Sequence, residues 1–256
     1  MQPNERRDVI LEQLKKHKKI DIEALAAELN VSAMTIRRDL TYLEEKEQII
    51  RTLGGAVLNK PLVMESSFQT KEGKYAAEKK RIAEKAAELV KENYTILLDS
   101  GTTTLEIAKL LKSKSNLTVV TNDIKIAAEL MDSEVKLILT GGEVQNNIGA
   151  LFGPLTEQTL RNLHVDLCFL GAHAVHLHVG VTVPTFEKAS IKKLMIQSAQ
   201  ATWLVADSSK LDQKSLVKVC DLKELSGIIS DSGIVDYHPY ELQELLDVMT
   251  AEEESP

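Results

Sequence analysis

Residues 25–58 read LAAELNVSAMTIRRDLTYLEEKEQIIRTLGGAVL, and the periods inside this run decide the architecture of the first part of the chain. Leu25 and Leu29 are four apart in a short helix that Asp21 can cap and Asn30 ends. Ser32 is placed to cap the next helix, in which Ile36, Leu40 and Leu43 fall within about 60° of one another at 100° per residue and define a buried stripe. Met34, Arg38 and Thr41 lie roughly opposite, with Thr35 and Arg37 on the flanks. Two helices joined by the tight NVS turn make a helix-turn-helix. Upstream, Asn4 can cap a helix running to about His17 with Val9, Ile10 and Leu14 at helical spacing. Downstream, two short strands are expected to join at Gly54 and Gly55, the residues best able to supply the positive φ of a tight hairpin. The predicted whole is a winged helix-turn-helix over residues 1–58.

Such a helix fits the major groove of B-DNA, where a guanidinium makes two hydrogen bonds to guanine or one strong contact to a phosphate. The candidate DNA-binding residues are therefore Ser32, Met34, Thr35, Arg37, Arg38, Thr41 and Arg51, with Arg51 on a phosphate or in the minor groove. The alternative is a solvated face in which Arg37 and Arg38 pair with Asp39 and Glu45. The formal net charge of −7 counts against a nucleic-acid partner until it is divided by region. Residues 1–60 hold 11 Lys or Arg against 10 Asp or Glu, so the acidity belongs to the remainder. The cations of the first part, among them Arg6, Arg7, Lys15, Lys16, Lys18 and Lys19, gather around its three helical patterns.

The run VSAMTIRRDLTYLE followed by RTLGGA resembles the N-terminal signature of the DeoR family of bacterial transcriptional regulators. The resemblance implies a repressor whose winged helix binds operator DNA and whose larger second domain senses a phosphorylated sugar or a sugar-derived metabolite.

With 256 residues, 43% hydrophobic and 27% charged, the chain has the composition of a folded protein of one large or two unequal domains. No apolar run of about 18 residues and no secretory leader is read, so a cytoplasmic protein with no membrane partner is expected. Cys168 and Cys220 sit in apolar segments without CxxC spacing and read as reduced core residues, neither a disulfide nor a metal pair. The stretch 59–75, with its proline, glycine and hydroxyl residues and no sustained period, reads as a linker.

From residue 76 to 256 the pattern alternates strands and helices, predicting an α/β domain with a largely parallel sheet. TILLD runs into SGTTT and a helix, LTVVT into ND and a helix, and VKLILT into Gly141 and Gly142. In open α/β sheets ligands bind beyond the carboxyl ends of strands, where loop amides and helix starts favour anions. Asp99, Ser100, Gly101, Thr102 and Thr103 are the best candidate phosphate cradle, with Gly101 expected to permit a tight approach; ordinary helix capping is the alternative. In VADSSK, Lys210 offers a cation after the strand that ends at Asp207, against the plainer reading of a surface turn.

DSGTT, VTN, GG and DSSK are also similar to motifs of the DeoR-family sensor domain, whose fold resembles ribose-5-phosphate isomerase and CoA transferases. Carried over position by position, the resemblance implies an effector pocket lined by Asp99, Ser100, Gly101, Thr102, Thr103, Asn122, Gly141, Gly142, Lys210 and Glu187, with Lys192 or Lys193. Two departures stand out. After GGE this chain has Gln145 and Asn146 where family members often carry arginine, and FLGAHAVHLHVGVT places His173, His176 and His178 within six positions. A divalent metal is one reading of that cluster and loop hydrogen bonding the other; no metal and no cofactor is assigned. The expected function is that of a regulator rather than an enzyme, with a phosphosugar isomerase-like activity as the alternative. A single winged helix buries only roughly 600–1,000 Å² on DNA, so a dimer or tetramer reading repeated half-sites is expected.

Overall fold

The computed structural model describes residues 2–17, 19–46, 48–58, 62 and 67–252, and the chain divides into two compact units, residues 1–61 and 62–256. The expectations for Lys18 and for linker residues 59–61 and 63–66 lie outside the described residues.

In the first unit α1 (Pro3–His17), β1 (Lys19–Asp21), α2 (Ile22–Glu28) and α3 (Ala33–Glu45) are followed by β2 (Ile49–Thr52) and β3 (Gly55–Leu58). The expected caps form: Asp21 accepts from the amides of Glu23 and Ala24 at 3.0 Å, and Ser32 accepts from that of Thr35 at 3.2 Å. The first helix starts earlier than expected. Pro3, whose missing N–H suits a first helical position, opens it, and Asn4 lies inside, its side-chain oxygen accepting from Arg7 at 3.3 Å. Ile10, Leu14, Leu25, Ile36, Leu40, Leu43 and Ile49 form the core.

The wing also differs. It is a three-stranded antiparallel sheet, ordered β1-β3-β2, because the KID segment between two helices pairs with β3. The tip is Leu53 and Gly54, and only Gly54 has positive φ (84°). Gly55 instead lies within β3, where a Cβ would run into the carbonyl of Ile20; the glycine is needed there for strand approach.

The second unit begins with α4 (Phe68–Glu72) and α5 (Ala76–Ala87). Part of the expected linker is thus folded: Ser67 caps α4 and Phe68 is buried. There follow β4 (Thr95–Leu98), α6 (Thr102–Leu111), β5 (Thr118–Thr121), α7 (Ile124–Leu130), β6 (Lys136–Leu139), β7 (Glu143–Val144), β8 (Leu151–Phe152), α8 (Pro154–Arg161) and β9 (Val165–Gly171). The chain continues through β10 (Ala174–His176), β11 (Gly180–Val183), α9 (Phe186–Ser198), β12 (Ala199–Val205), β13 (Val217–Cys220), β14 (Gly227–Asp231), α10 (Pro239–Gln243) and β15 (Asp247–Ala251).

The main sheet has seven strands in the order β15-β14-β12-β9-β4-β5-β6, every pair parallel. Strand alternation explains its two cores. Leu97, Val120, Cys168, Leu170 and Leu204 face one layer, with Ile191, Leu194 and Met195 of α9. Ile96, Leu98, Val119, Leu167 and Phe169 face the other, with Ile82 of α5 and Ile107 of α6. Covering on both faces is what a parallel sheet requires, and it produces the near-continuous apolar runs TILL and LCFL. Cys168 and Cys220 are free and buried; burial pushes the Cys220 thiol up to about 12, so both are poor nucleophiles.

Chain order in this sheet reverses once. From β4 it steps outward through β5 to β6, then returns to the other side of β4 and steps outward through β9, β12, β14 and β15. The switch lies between β4 and β9, the position beyond the strand ends at which open α/β sheets bind ligands.

Candidate functional site

Two surfaces carry the predicted site residues, one on each unit. On the first, Met34, Arg37, Arg38 and Thr41 line one shallow depression with Arg7, Tyr42 and Glu45. Met34 is 55% exposed, a position that core packing does not account for. Arg37 pairs with Glu23 at 3.1 Å, an exposed contact worth about 0–1 kcal/mol and readily exchanged for a phosphate. Among the described residues, Arg38 has no ion-pair partner. Thr41 Oγ1 donates to Arg37 O at 3.0 Å and accepts from Arg51 Nη1 at 3.4 Å, which ties the wing arginine to α3. Ser32 and Thr35 satisfy each other's hydroxyls at 2.9 Å, so their first role is to start the helix.

The alternative pairing of the adjacent arginines with Asp39 does not occur. Asp39 is 2% exposed and accepts from Arg6 Nε at 2.5 Å and Arg7 Nε at 3.0 Å. Arg7 also stacks its guanidinium on Tyr42, 3.7 Å from the ring centroid. Two of the basic residues gathered in the sequence are thereby occupied in binding α1 to α3.

On the second unit, the parallel strands bring their carboxyl ends to one edge. Asp99 follows β4 there and Gly171 ends β9, on either side of the switch. Asp99 is 2% exposed; it accepts from the Gly171 amide at 2.9 Å and is ion-paired with Lys192, whose Nζ also donates to Gly171 O at 2.8 Å. Of the two lysines carried over, Lys192 is therefore at this edge and buried, while Lys193 is exposed. Thr102, Thr103 and Thr104 occupy the first turn of α6, where a helix has no internal acceptors for its amides.

Ser100 Oγ donates to Asp123 Oδ2 at 2.6 Å, and Asp123 Oδ1 caps α7 through the Lys125 amide at 2.7 Å. Burial pushes the Asp123 carboxyl above its ordinary value, opposed by these hydrogen bonds. Asn122 is buried, its amide donating to Leu151 O at 3.3 Å. At the end of β12, Asp207 is 1% exposed with Lys210 Nζ at 3.9 Å. Tyr75 is held near this group. Burial and the Asp207 charge raise its hydroxyl pKa, and Ser209 hydrogen-bonds it.

Three expectations change. Gly101 has φ 169°, extended backbone open to any residue, and a Cβ there would meet only Thr104 Oγ1 at 3.3 Å, so no tight approach inside the chain requires it. Gly142, at φ 116°, is required by packing, since a Cβ would strike the Phe152 carbonyl and Thr156. Glu187 is exposed in the first turn of α9, where hydrogen bonds from its own amide and from Thr185 hold its carboxyl below the usual range; it is not drawn to Asp99 or Lys192. The histidine cluster belongs to the β10–β11 hairpin, with His176 Nδ1 accepting from the His178 amide at 3.2 Å. Among the described residues no three His, Cys, Asp or Glu side chains converge on a metal-sized site, and no helix is long and apolar enough to cross a membrane.

Asp123, Lys79 and Tyr75 escaped the sequence reading. The Asn-Asp pair closing a strand was the available signal for Asp123, because a short acceptor there caps the following helix. Nothing local marked the other two.

Known proteins share both units. A model of the DeoR-like helix-turn-helix domain matches residues 6–61, and one of the DeoR C terminal sensor domain matches residues 74–232. A putative aga operon transcriptional repressor of Escherichia coli O157:H7 is 35% identical over 235 residues, covering 90% of this chain and 87% of the relative. The L-fucose operon activator of Haemophilus influenzae is 35% identical over 234 residues, covering 91% and 94%. Among solved structures, ribose 5-phosphate isomerase A of Methanocaldococcus jannaschii superposes with a TM-score of 0.41 at 19% identity, covering 54% of this chain and 55% of that one.

Proposed function

The chain belongs to the DeoR family of transcriptional regulators, and we propose that it is the repressor of a carbohydrate operon, released from its operator when a phosphorylated sugar or sugar-derived metabolite occupies the second unit. The observation that carries the effector half is the strand-end edge, where hydroxyls and a helix start follow β4 at the β4–β9 switch and the Lys210 ammonium stands beside Asp207 after β12. An anionic ester suits this edge because helix-start amides and a cation stabilise phosphate oxygens. In this reading Ser100, Thr102, Thr103 and Lys210 contact the ester, Asn122 and Gly141 border it, and Asp99 with Lys192 forms the floor. The DNA half rests on Arg37, Arg38 and Arg51 around Thr41, acting from a homo-oligomer so that two winged helices read repeated half-sites.

The phosphosugar isomerase alternative loses support from the same geometry. It needs a free general base beside the substrate carbon, whereas Asp99 is taken by Lys192 and the Gly171 amide, Lys210 lies beside Asp207, and Glu187 stands in solvent. One relative bears the name of a repressor and another that of an activator, so a promoter reporter with and without the chain decides the sign.

The test uses promoter DNA in fluorescence anisotropy. Arg37→Ala and Arg38→Ala are each expected to lose roughly 1–3 kcal/mol of operator affinity where the residue reads a base, and to lower the salt slope by about one where it touches phosphate. Unchanged binding in both would remove the recognition face. A thermal-shift panel of ribose 5-phosphate, fructose 1-phosphate, fructose 6-phosphate and glucosamine 6-phosphate then seeks the effector, since binding to the folded form alone raises apparent stability. Lys210→Ala should keep operator binding and lose release by that ester. Steady turnover of ribose 5-phosphate with no retardation of DNA would overturn the regulator reading.

A further inference from the structure

A five-residue helix has almost no stability of its own, so whatever holds α4 decides where it lies. At its start the Phe68 amide donates to Asn147 O at 3.1 Å, and the Lys125 ammonium sits 4.2 Å from the centroid of the buried Phe68 ring. The same ammonium donates to Ile148 O. Gly149 leaves room for it, because a Cβ there would press on Lys125 Nζ. At the other end the Lys79 ammonium, 4% exposed, donates to Lys71 O and, at 2.6 Å, to Lys74 O. Lys71 O is in the last turn of α4 and Lys74 O follows the Gly73 cap, so the ammonium sits at the carboxyl end of the helix, where a cation is favoured.

Both lysines stand on helices tied to the strand-end edge. Lys125 is in the first turn of α7, whose cap Asp123 also receives Ser100 Oγ. Ile124 N donates to Gly149 O at 3.0 Å and Leu151 N to Asn122 O at 2.7 Å, so the loop that meets α4 is stitched along the β5–α7 junction. Lys79 lies on α5 in the field of Asp207 and Lys210, and burial lowers its pKa. An anion at Ser100 would compete with Asp123 for that hydroxyl and loosen the start of α7, and negative charge added beside Asp207 and Lys210 would act on the Lys79 ammonium that holds the other end.

Resting on the effector reading, we propose that α4 is the output lever of the sensor unit, with Lys125 and Lys79 as its two latches and the Ser100–Asp123 hydrogen bond as its trigger. Its place in the chain suits the role, because α4 is the first helix after the segment that leaves the winged-helix unit.

Hydrogen exchange of the full chain without any ligand tests the linkage. Lys125→Met and Lys79→Met are expected to speed exchange at residues 67–72 about tenfold, and Ser100→Ala to speed it at the same residues, with α3 unchanged. Wild-type rates at 67–72 in both Ser100→Ala and Lys125→Met would overturn the proposal; if Lys79→Met does not fold, those two variants decide alone. In the operator assay, Lys125→Met starts unlatched, so the concentration of the most effective ester of the panel needed for release should fall at least about tenfold. Release at the wild-type concentration would equally overturn it. A panel in which no ester shifts the wild type refutes the effector reading, and the exchange result still decides the lever.

Discussion

Asp39→Ala is expected to cost the first unit about 3–5 kcal/mol, because it breaks a buried ion pair by removing the carboxylate that two guanidinium groups share. Arg6 is 8% exposed and Asp39 2%, so the loss is not screened by water, and the carboxylate bridges α1 and α3 through two guanidinium groups. The Arg7 side chain is 21% exposed against 10% for Arg6, so water screens more of its charge and Arg7→Ala should cost less than Arg6→Ala. Asp39→Asn, which preserves shape and one acceptor, should fall between. The readout is exchange of the α3 amides at residues 33–45 in the full chain, expected to accelerate by two orders of magnitude or more. Operator affinity at low temperature separates this effect from loss of contact: Arg38→Ala weakens binding at unchanged exchange rates, whereas Asp39→Ala alters exchange first. Wild-type protection of α3 in Asp39→Ala would sink the claim that this triad holds the two helices together.

How far these features were legible in the sequence follows the distance over which each is encoded. The Ile36, Leu40 and Leu43 stripe, the Ser32 and Asp21 caps and the strands that end in SGTTT and ND are local patterns, readable because burial and capping act within a turn or two. Asp39 was not readable as the centre of a triad, since its partners lie 33 and 32 positions away. The neighbouring arginines were the obvious local partners and the wrong ones, because α3 turns them away from its buried side. Gly55 looked like turn chemistry; its reason is the passage of β1, a three-residue strand too short to show a period. At the sensor edge the loops were legible and their cross-links were not. Ser100 to Asp123 spans 23 positions and Lys192 to Asp99 spans 93, and such pairings are set by strand order rather than by any spacing.

Replacing Lys192 by methionine is expected to destabilise the sensor unit by about 3–5 kcal/mol, the second large effect and the one that bears on the site. The substitution leaves the Asp99 carboxylate buried beside the Gly171 amide alone and removes the donor to Gly171 O, loosening the join between β4 and β9 at the switch. Trp203, the chain's single tryptophan, lies on β12 next to β9, so urea unfolding followed by its fluorescence reports this unit without interference from the first. A loss under about 1 kcal/mol would show that the lysine is not what neutralises Asp99. The double variant Lys192→Met with Asp99→Asn sharpens the result. With no charge left to strand, it should be more stable than Lys192→Met alone, giving a coupling of about 0.5–3 kcal/mol. A double variant with purely additive losses would mean the two side chains act independently. Asp99 would then be available to a ligand, and the floor assigned to it at the strand ends would have to be given to another group.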